Sequence, residues 1–281
     1  MADGSSVEFD HCRELALLPG SVFEFTSRFL PTGKLEPLLA LYALTQAVGS
    51  ISHGGADDSV KWSKLKWWSE EILAEPDQPL RHPVLRALWL SGARSSLGNS
   101  RLLQLVADAI SQIDAAPDSD ETSMFDRLST LGATEIQLEL ALDDAEIDPQ
   151  SLNYMASASY SFRFISSFSG GNRSQTERLP LSMLAKYNVS ATQLGQASHT
   201  AELTQIIMQL AEHTQERFSK GMSTLNITPG SQAAAHLQLR WAMEHRRLDV
   251  IRKDACGFLE KGKQFGPSDA WCAWRFLRKL G

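Results

Sequence analysis

Across residues 31–52 the apolar side chains Leu35, Leu38, Leu39, Tyr42, Val48 and Ile51 recur at three- and four-residue steps. That is the period of a helix face, and Pro37 falls where a first turn tolerates it. The stretch GGADDSVKW then reads as a turn with a capped helix start, in which Asp57 and Asp58 are the capping acids. Trp62, Leu65, Trp68 and Ile72 fall on one side of the second helix, which Pro76 ends. Helical patterns resume from 83 to about 92, from 99 to about 113 and from 123 to about 142. The aromatic-rich residues 153–168 are ambiguous between a buried helix and a strand pair. After the loop SGGNRSQTERLP, Pro180 opens a short helical turn. Two long helices follow, one carrying Leu203, Ile206, Ile207, Leu210 and Phe218, the other Leu237, Trp241, Leu248 and Ile251. A last helix holds Trp271, Trp274 and Leu277. No alternating strand pattern competes, so the expected class is all-α. Without an internal repeat or a long linker, a single helical bundle over residues 23–281 accounts for the chain, with residues 1–22 as an N-terminal extension.

Composition narrows the function classes. The 281 residues carry a net charge of -6, which argues against nucleic acid as a partner. Cys12, Cys256 and Cys272 form no CxxC pair and have no histidine at zinc-ligand spacing, as expected of reduced thiols in a cytoplasmic protein. No basic segment leads into an apolar run at the N-terminus, and no stretch approaches the ~18 apolar residues of a membrane span. Peripheral contact with a membrane stays open. Arg240, Arg246, Arg247, Arg252 and Lys253 read as a solvated basic face, and Asp143, Asp144, Glu146 and Asp148 as a solvated acidic turn. Trp67, Trp68, Trp271 and Trp274 read as core anchors.

Four segments carry a family resemblance. SRFLPTGKLEPLLALYALTQAV resembles the first motif region of squalene and phytoene synthases, through residues 27–31 and 40–43. KLKWWSEEI followed by RHPVLRAL is similar to that family's tryptophan-acidic and His-Pro segment, ERLPLSMLAKYNVS to the segment after its second metal motif, and WCAWRF to its closing helix. The four occur in order over residues 23–276. The resemblance implies a squalene/phytoene synthase-type helical bundle around a deep apolar cavity. It also implies two aspartate clusters on facing helices, because an allylic diphosphate ionises only when magnesium, held by hard oxygen ligands, neutralises the leaving group.

This chain departs from the family at those clusters. By the resemblance the first cluster falls on Gly49, Ser50 and His53, and the arginine before it on Gln46; the second falls on Ser167, Gly170 and Gly171. Residues 154–175 contain no Asp or Glu at all. No catalytic residue, metal ligand or cofactor is therefore assigned: His53 has no acid beside it in the sequence, and Ser166, Ser167 and Ser169 show no paired base. Tyr42, Phe162 and Phe164 are the candidates to line an inherited cavity. The expectation is a non-catalytic squalene/phytoene synthase-like protein, a pseudoenzyme that binds a prenyl or lipid ligand or acts as an assembly or accessory factor for a protein partner. Some relatives in this superfamily lack synthase activity, among them a mitochondrial factor for respiratory complex I assembly. The alternative is an active prenyltransferase of isoprenoid biosynthesis, condensing farnesyl or geranylgeranyl diphosphate with magnesium held by relocated acids such as Asp57 and Asp58.

Overall fold

The computed structural model describes residues 4–74, 80–262 and 265–280. Over them the chain is helical and forms no strand; Ile147 and Ile227 make only an isolated antiparallel bridge. Pro76, expected to stop the second helix, lies outside the described residues. Two compact units emerge, and each is built from its own core.

The first unit holds α1 (Gly4–Ala16), α2 (Val22–Thr26), α3 (Thr32–His53), α4 (Asp58–Ile72), α5 (Pro83–Leu90), α6 (Arg94–Leu97) and α7 (Asn99–Ser111), together with residues 134–146 and 228–236. Residues 4–16, for which the sequence pattern names no element, form α1 and bury Phe9, Cys12 and Ala16 against α3 and α5. Burial pushes the Cys12 thiol up to about 12, so it behaves as a small apolar side chain. From α3 come Leu38, Leu39, Leu41, Leu44 and Val48, all fully or nearly fully buried. In α4 the inward stripe is Leu65, Trp68 and Ile72, whereas Trp62 is 44% exposed. At about 100° per residue Trp62 stands roughly 120° around the helix from Trp68, so the expected four-residue stripe is too wide for one contact face. Asp57 occupies the N-cap position of α4 without a side-chain cap bond, while Asp58 pairs with Lys61 at 2.9 Å.

Trp68 packs on His82, with ring centroids 4.3 Å apart, and His82 Nδ1 accepts the Val84 N–H at 3.2 Å to cap α5. An accepting ring must be neutral at that nitrogen; burial, followed by the charges of His11 and Arg86 against Glu71, pulls its pKa below the ordinary value. The turn before it is held by Glu71, 2% exposed, which accepts from the Arg81 N–H, Arg81 Nε at 2.9 Å and the His82 N–H at 3.2 Å. Burial alone would raise the Glu71 pKa, but these bonds and the Arg81 charge hold it below the usual carboxylate value.

The second unit combines residues 116–133, the first part of α8 (Glu121–Ala141), with α9 (Pro149–Ser166), α10 (Leu181–Lys186), α11 (Ala191–Leu194) and α12 (Thr200–Ser223), then residues 237–253 of α13 (Gln232–Lys253), α14 (Ala255–Lys261) and α15 (Pro267–Leu280). The ambiguous residues 153–168 are thus helical through Ser166: Asp148 caps α9 by accepting from the Gln150 and Ser151 N–H groups at 3.1 and 3.0 Å, and Pro149 sits at its first position. Gly132 lets α8 meet α9 closely, since a Cβ there would lie 2.7 Å from the Ala156 carbonyl oxygen.

Two surface expectations and one core expectation are corrected. Arg240 and Arg247 are buried, Arg240 beside Glu244 at 3.6 Å and Arg247 with its guanidinium 4.5 Å over the Phe265 ring. Asp143 is a structural acid: burial would raise its pKa, but Lys34 at 2.5 Å, the Ala233 N–H and Ser231 bring it below the ordinary value. Trp271 and Trp274 are not core anchors, being 58% and 42% exposed. Helical spacing identifies residues that share a face but does not say what covers it.

Trp68→Ala should cost about 3–5 kcal/mol by leaving a cavity, read as a lower urea midpoint, whereas Trp62→Ala should stay near the parent protein. Gly132→Ala should lose about 1–3 kcal/mol by forcing a methyl into the Ala156 backbone. For Glu71, the folded state releases the proton more readily than the unfolded chain. Its contribution is therefore complete above its ordinary pKa of 4.5 and is lost as pH falls through the lower folded value. Thermal midpoints followed from about pH 6 to about pH 3 should show a shallower acid limb in Glu71→Gln than in the parent.

Candidate functional site

In the first unit, the outer face of α3 carries the positions where the family resemblance puts the first aspartate cluster (Gly49, Ser50 and His53) and the arginine before it (Gln46). Gln46, Ser50 and His53 are exposed and Gly49 is half-buried, at steps of three, one and three that keep them on one side of the helix. Ser50 turns its hydroxyl back to the Ala47 carbonyl at 3.1 Å. None of the four side chains is a carboxylate, and Glu36, the one acid of α3, stands in its first turns and is exposed.

One turn before Gln46, Tyr42 is held by a buried network within the same unit. Its ring stacks on Phe23, centroids 3.7 Å apart at 8°, and its hydroxyl donates to Glu139 Oε2 at 2.9 Å. Glu139 Oε1 lies 2.6 Å from His236 Nδ1, and His236 Nε2 lies 3.1 Å from Thr26 Oγ1. The carboxylate accepts from Nδ1–H, and Nε2 shares a hydrogen bond with the Thr26 hydroxyl. Hydroxyl, imidazole and carboxylate in that order form the geometry of a nucleophile activated by a base. Thr26 is fully buried, however, so no substrate reaches its oxygen and the network positions Tyr42 instead. Glu139 and His236 are 97 positions apart, which hides the pair from spacing arguments. Its available signal is an acid set among Ile136, Leu138, Leu140 and Ala141 on the apolar run of α8.

In the second unit, α9 leads to the second set of positions. Phe162 is buried, and Phe164 is half-buried with Phe168 edge-on at 5.3 Å. Ser167 closes the helix, its hydroxyl donating to the Phe164 carbonyl at 2.7 Å. Gly170 and Gly171 follow in left-handed backbone, with φ of 66° and 82°. Two consecutive residues in that region favour glycine, because a Cβ there costs roughly 1–2 kcal/mol each. The helix therefore ends before the positions where the resemblance would place acids, and the local chain is shaped for glycine as well as lacking carboxylates. Elsewhere in the same unit Arg217 lies 4.0 Å from the Phe125 ring centroid and donates to Ser157 Oγ at 3.3 Å; burial pulls its pKa below the ordinary arginine value.

Each unit also has a groove of its own. One of about 500 Å³ in the first unit is walled by Ile51, Val60, Trp67, Trp68 and His82, and one of about 830 Å³ in the second is lined by side chains that include Lys186, Tyr187, Met208 and Arg252. Neither takes in Gln46, Gly49, Ser50, His53, Ser167, Gly170 or Gly171. Among the described residues no three His, Cys, Asp or Glu side chains group so as to hold a metal ion, and no helix is long and apolar enough to cross a membrane.

The Squalene/phytoene synthase family profile matches residues 19–124, a span that includes α3. No curated protein matches the chain in sequence. Among solved structures, a dehydrosqualene synthase in complex with ligand superimposes with a TM-score of 0.68 at 14% identity, over 98% of this chain and 96% of that one. Squalene synthase HpnC from Alicyclobacillus acidocaldarius gives 0.64 at 17% identity over 89% and 95%. YisP from Bacillus subtilis subsp. subtilis strain 168 gives 0.63 at 11% over 98% and 96%. At such identities the likeness establishes a shared fold, which by itself carries no activity.

Tyr42→Phe should cost about 1–3 kcal/mol, because Glu139 loses a donor in a buried place. His236→Ala, which leaves the buried carboxylate without its main partner, should cost about 3–5 kcal/mol. Urea denaturation of both variants checks the order.

Proposed function

Starting from a chain that is squalene/phytoene synthase-like, we propose that it is a non-catalytic, cytoplasmic binding or accessory protein that keeps an apolar place for a prenyl or other lipid chain. The observation that carries this reading is the residue set on the two motif segments: Gln46, Gly49, Ser50 and His53 on α3, and Ser167, Gly170 and Gly171 after α9. Magnesium prefers hard, anionic oxygen ligands in octahedral array, and a magnesium-bound diphosphate needs them from two sides. An amide, two hydroxyls, an imidazole and three glycines do not fit that ion, so no step of diphosphate ionisation is assigned to these residues. Asp57 and Asp58, the acids considered as relocated ligands, are exposed, and Asp58 is paired with Lys61.

An apolar ligand needs none of this. A prenyl chain gains its affinity from buried area, roughly 0.8 kcal/mol per buried methylene, and an apolar wall supplies that without any metal. The ligand-bound dehydrosqualene synthase of the same fold supports the capacity of this shell to take a ligand. An assembly role would use the liganded shell as a docking body for a protein partner.

Incubation of the purified chain with farnesyl diphosphate and magnesium should release no diphosphate above the rate without protein. Sustained release that a chelator abolishes would restore the enzyme reading, and its loss in Asp57→Ala with Asp58→Ala would then locate the metal.

A further inference from the structure

α15 presents an uncovered face of unusual chemistry. Of its residues 267–279 only Ala273 is buried. Trp271 and Trp274 stack on each other, centroids 5.0 Å apart at 24°, and form one aromatic plate that is 58% and 42% exposed. The Arg278 guanidinium lies 4.8 Å over the Trp274 ring, and Arg275 and Lys279 stand exposed on the same last turns. The one acid of the helix, Asp269, sits at its opposite end, bound to Arg246 at 2.7 Å and to the Gly266 N–H at 2.9 Å. That anchorage fixes the helix to the unit while leaving the indoles and the three cations outward. The cations are concentrated here on a chain whose net charge is -6.

We infer that α15 docks this protein onto an anionic lipid surface, with the Trp271 and Trp274 rings at headgroup depth and Arg275, Arg278 and Lys279 over the lipid phosphates. Indole is amphipathic and settles at the membrane–water boundary, and a short helix with aromatics beside cations lies in that plane instead of crossing it. With 14 residues the helix spans roughly 21 Å, short of the ~30 Å hydrocarbon core. The area argues against a protein partner. The two exposed indoles offer roughly 250 Å², well under the ~800 Å² per partner of a stable protein interface. A reversible lipid contact needs less apolar area, because each Lys or Arg near an anionic surface strengthens binding roughly fivefold. The inference is independent of the prenyl-binding reading.

The test is co-sedimentation of the full chain with vesicles of phosphatidylcholine containing about one-third phosphatidylglycerol, against vesicles of phosphatidylcholine alone. Binding should favour the anionic vesicles at least ~10-fold and weaken with salt. Trp271→Ser with Trp274→Ser should reduce it about 10-fold or more, and Arg275→Gln with Arg278→Gln and Lys279→Gln on the order of 100-fold, both with unchanged melting midpoints because the side chains are exposed. Failure to bind anionic vesicles, or binding untouched by both sets of substitutions, overturns the inference. So does a tryptophan-dependent self-association seen by sedimentation velocity without lipid, which would assign the plate to a second copy of the chain.

Discussion

A carboxylate that is 1% exposed can stay in a helical core only if its oxygens are engaged, and Glu139 engages both, one with the Tyr42 hydroxyl and one with His236. His236 passes the constraint on to Thr26 and Tyr42 passes it to Phe23. Side chains from α2, α3, α8 and α13 are thus specified together, and the orientation of α3 about its own axis follows. The inner side of that helix is a run of buried leucines, and its outer side carries Gln46, Gly49, Ser50 and His53. Because the network and the leucine core fix the helix, the identity of the outer residues is free to change without loss of the fold. The packing of this helix therefore does not depend on carboxylates at these four outer positions.

The second segment tells the same story by a different device. α9 stops at Ser166, and the backbone turns left-handed at Gly170 and Gly171. Acids at these two positions would add backbone strain of roughly 1–2 kcal/mol each, beyond the change of side chain.

Much of the architecture is legible in the sequence. The α3 pattern, expected over residues 31–52, is observed as Thr32–His53, and the later long helices follow their apolar spacing. The ambiguity at residues 153–168 is resolved by the Asp148–Pro149 start, a local signal available in the chain, and by burial of Ser157, Ser159 and Ser161 along α9. Other features depend on what lies opposite a face. Trp271 and Trp274 share a face at helical spacing, yet both stay exposed; Arg240 and Arg247 look like solvated cations, yet the fold closes over them. The Glu139–His236 pair joins residues too distant in sequence for any local pattern, although an acid inside an apolar run is a legible anomaly. At the candidate site the missing carboxylates can be read from composition alone, whereas the left-handed glycines and the anchoring of Tyr42 require coordinates.

The central claim is that affinity for a prenyl chain has been separated from magnesium chemistry. Calorimetric titration of the purified protein with a non-hydrolysable farnesyl diphosphate analogue, first with magnesium and then with a chelator, addresses it most directly. The account predicts binding of equal affinity in both buffers; binding that appears only with magnesium, or no binding in either, would contradict it.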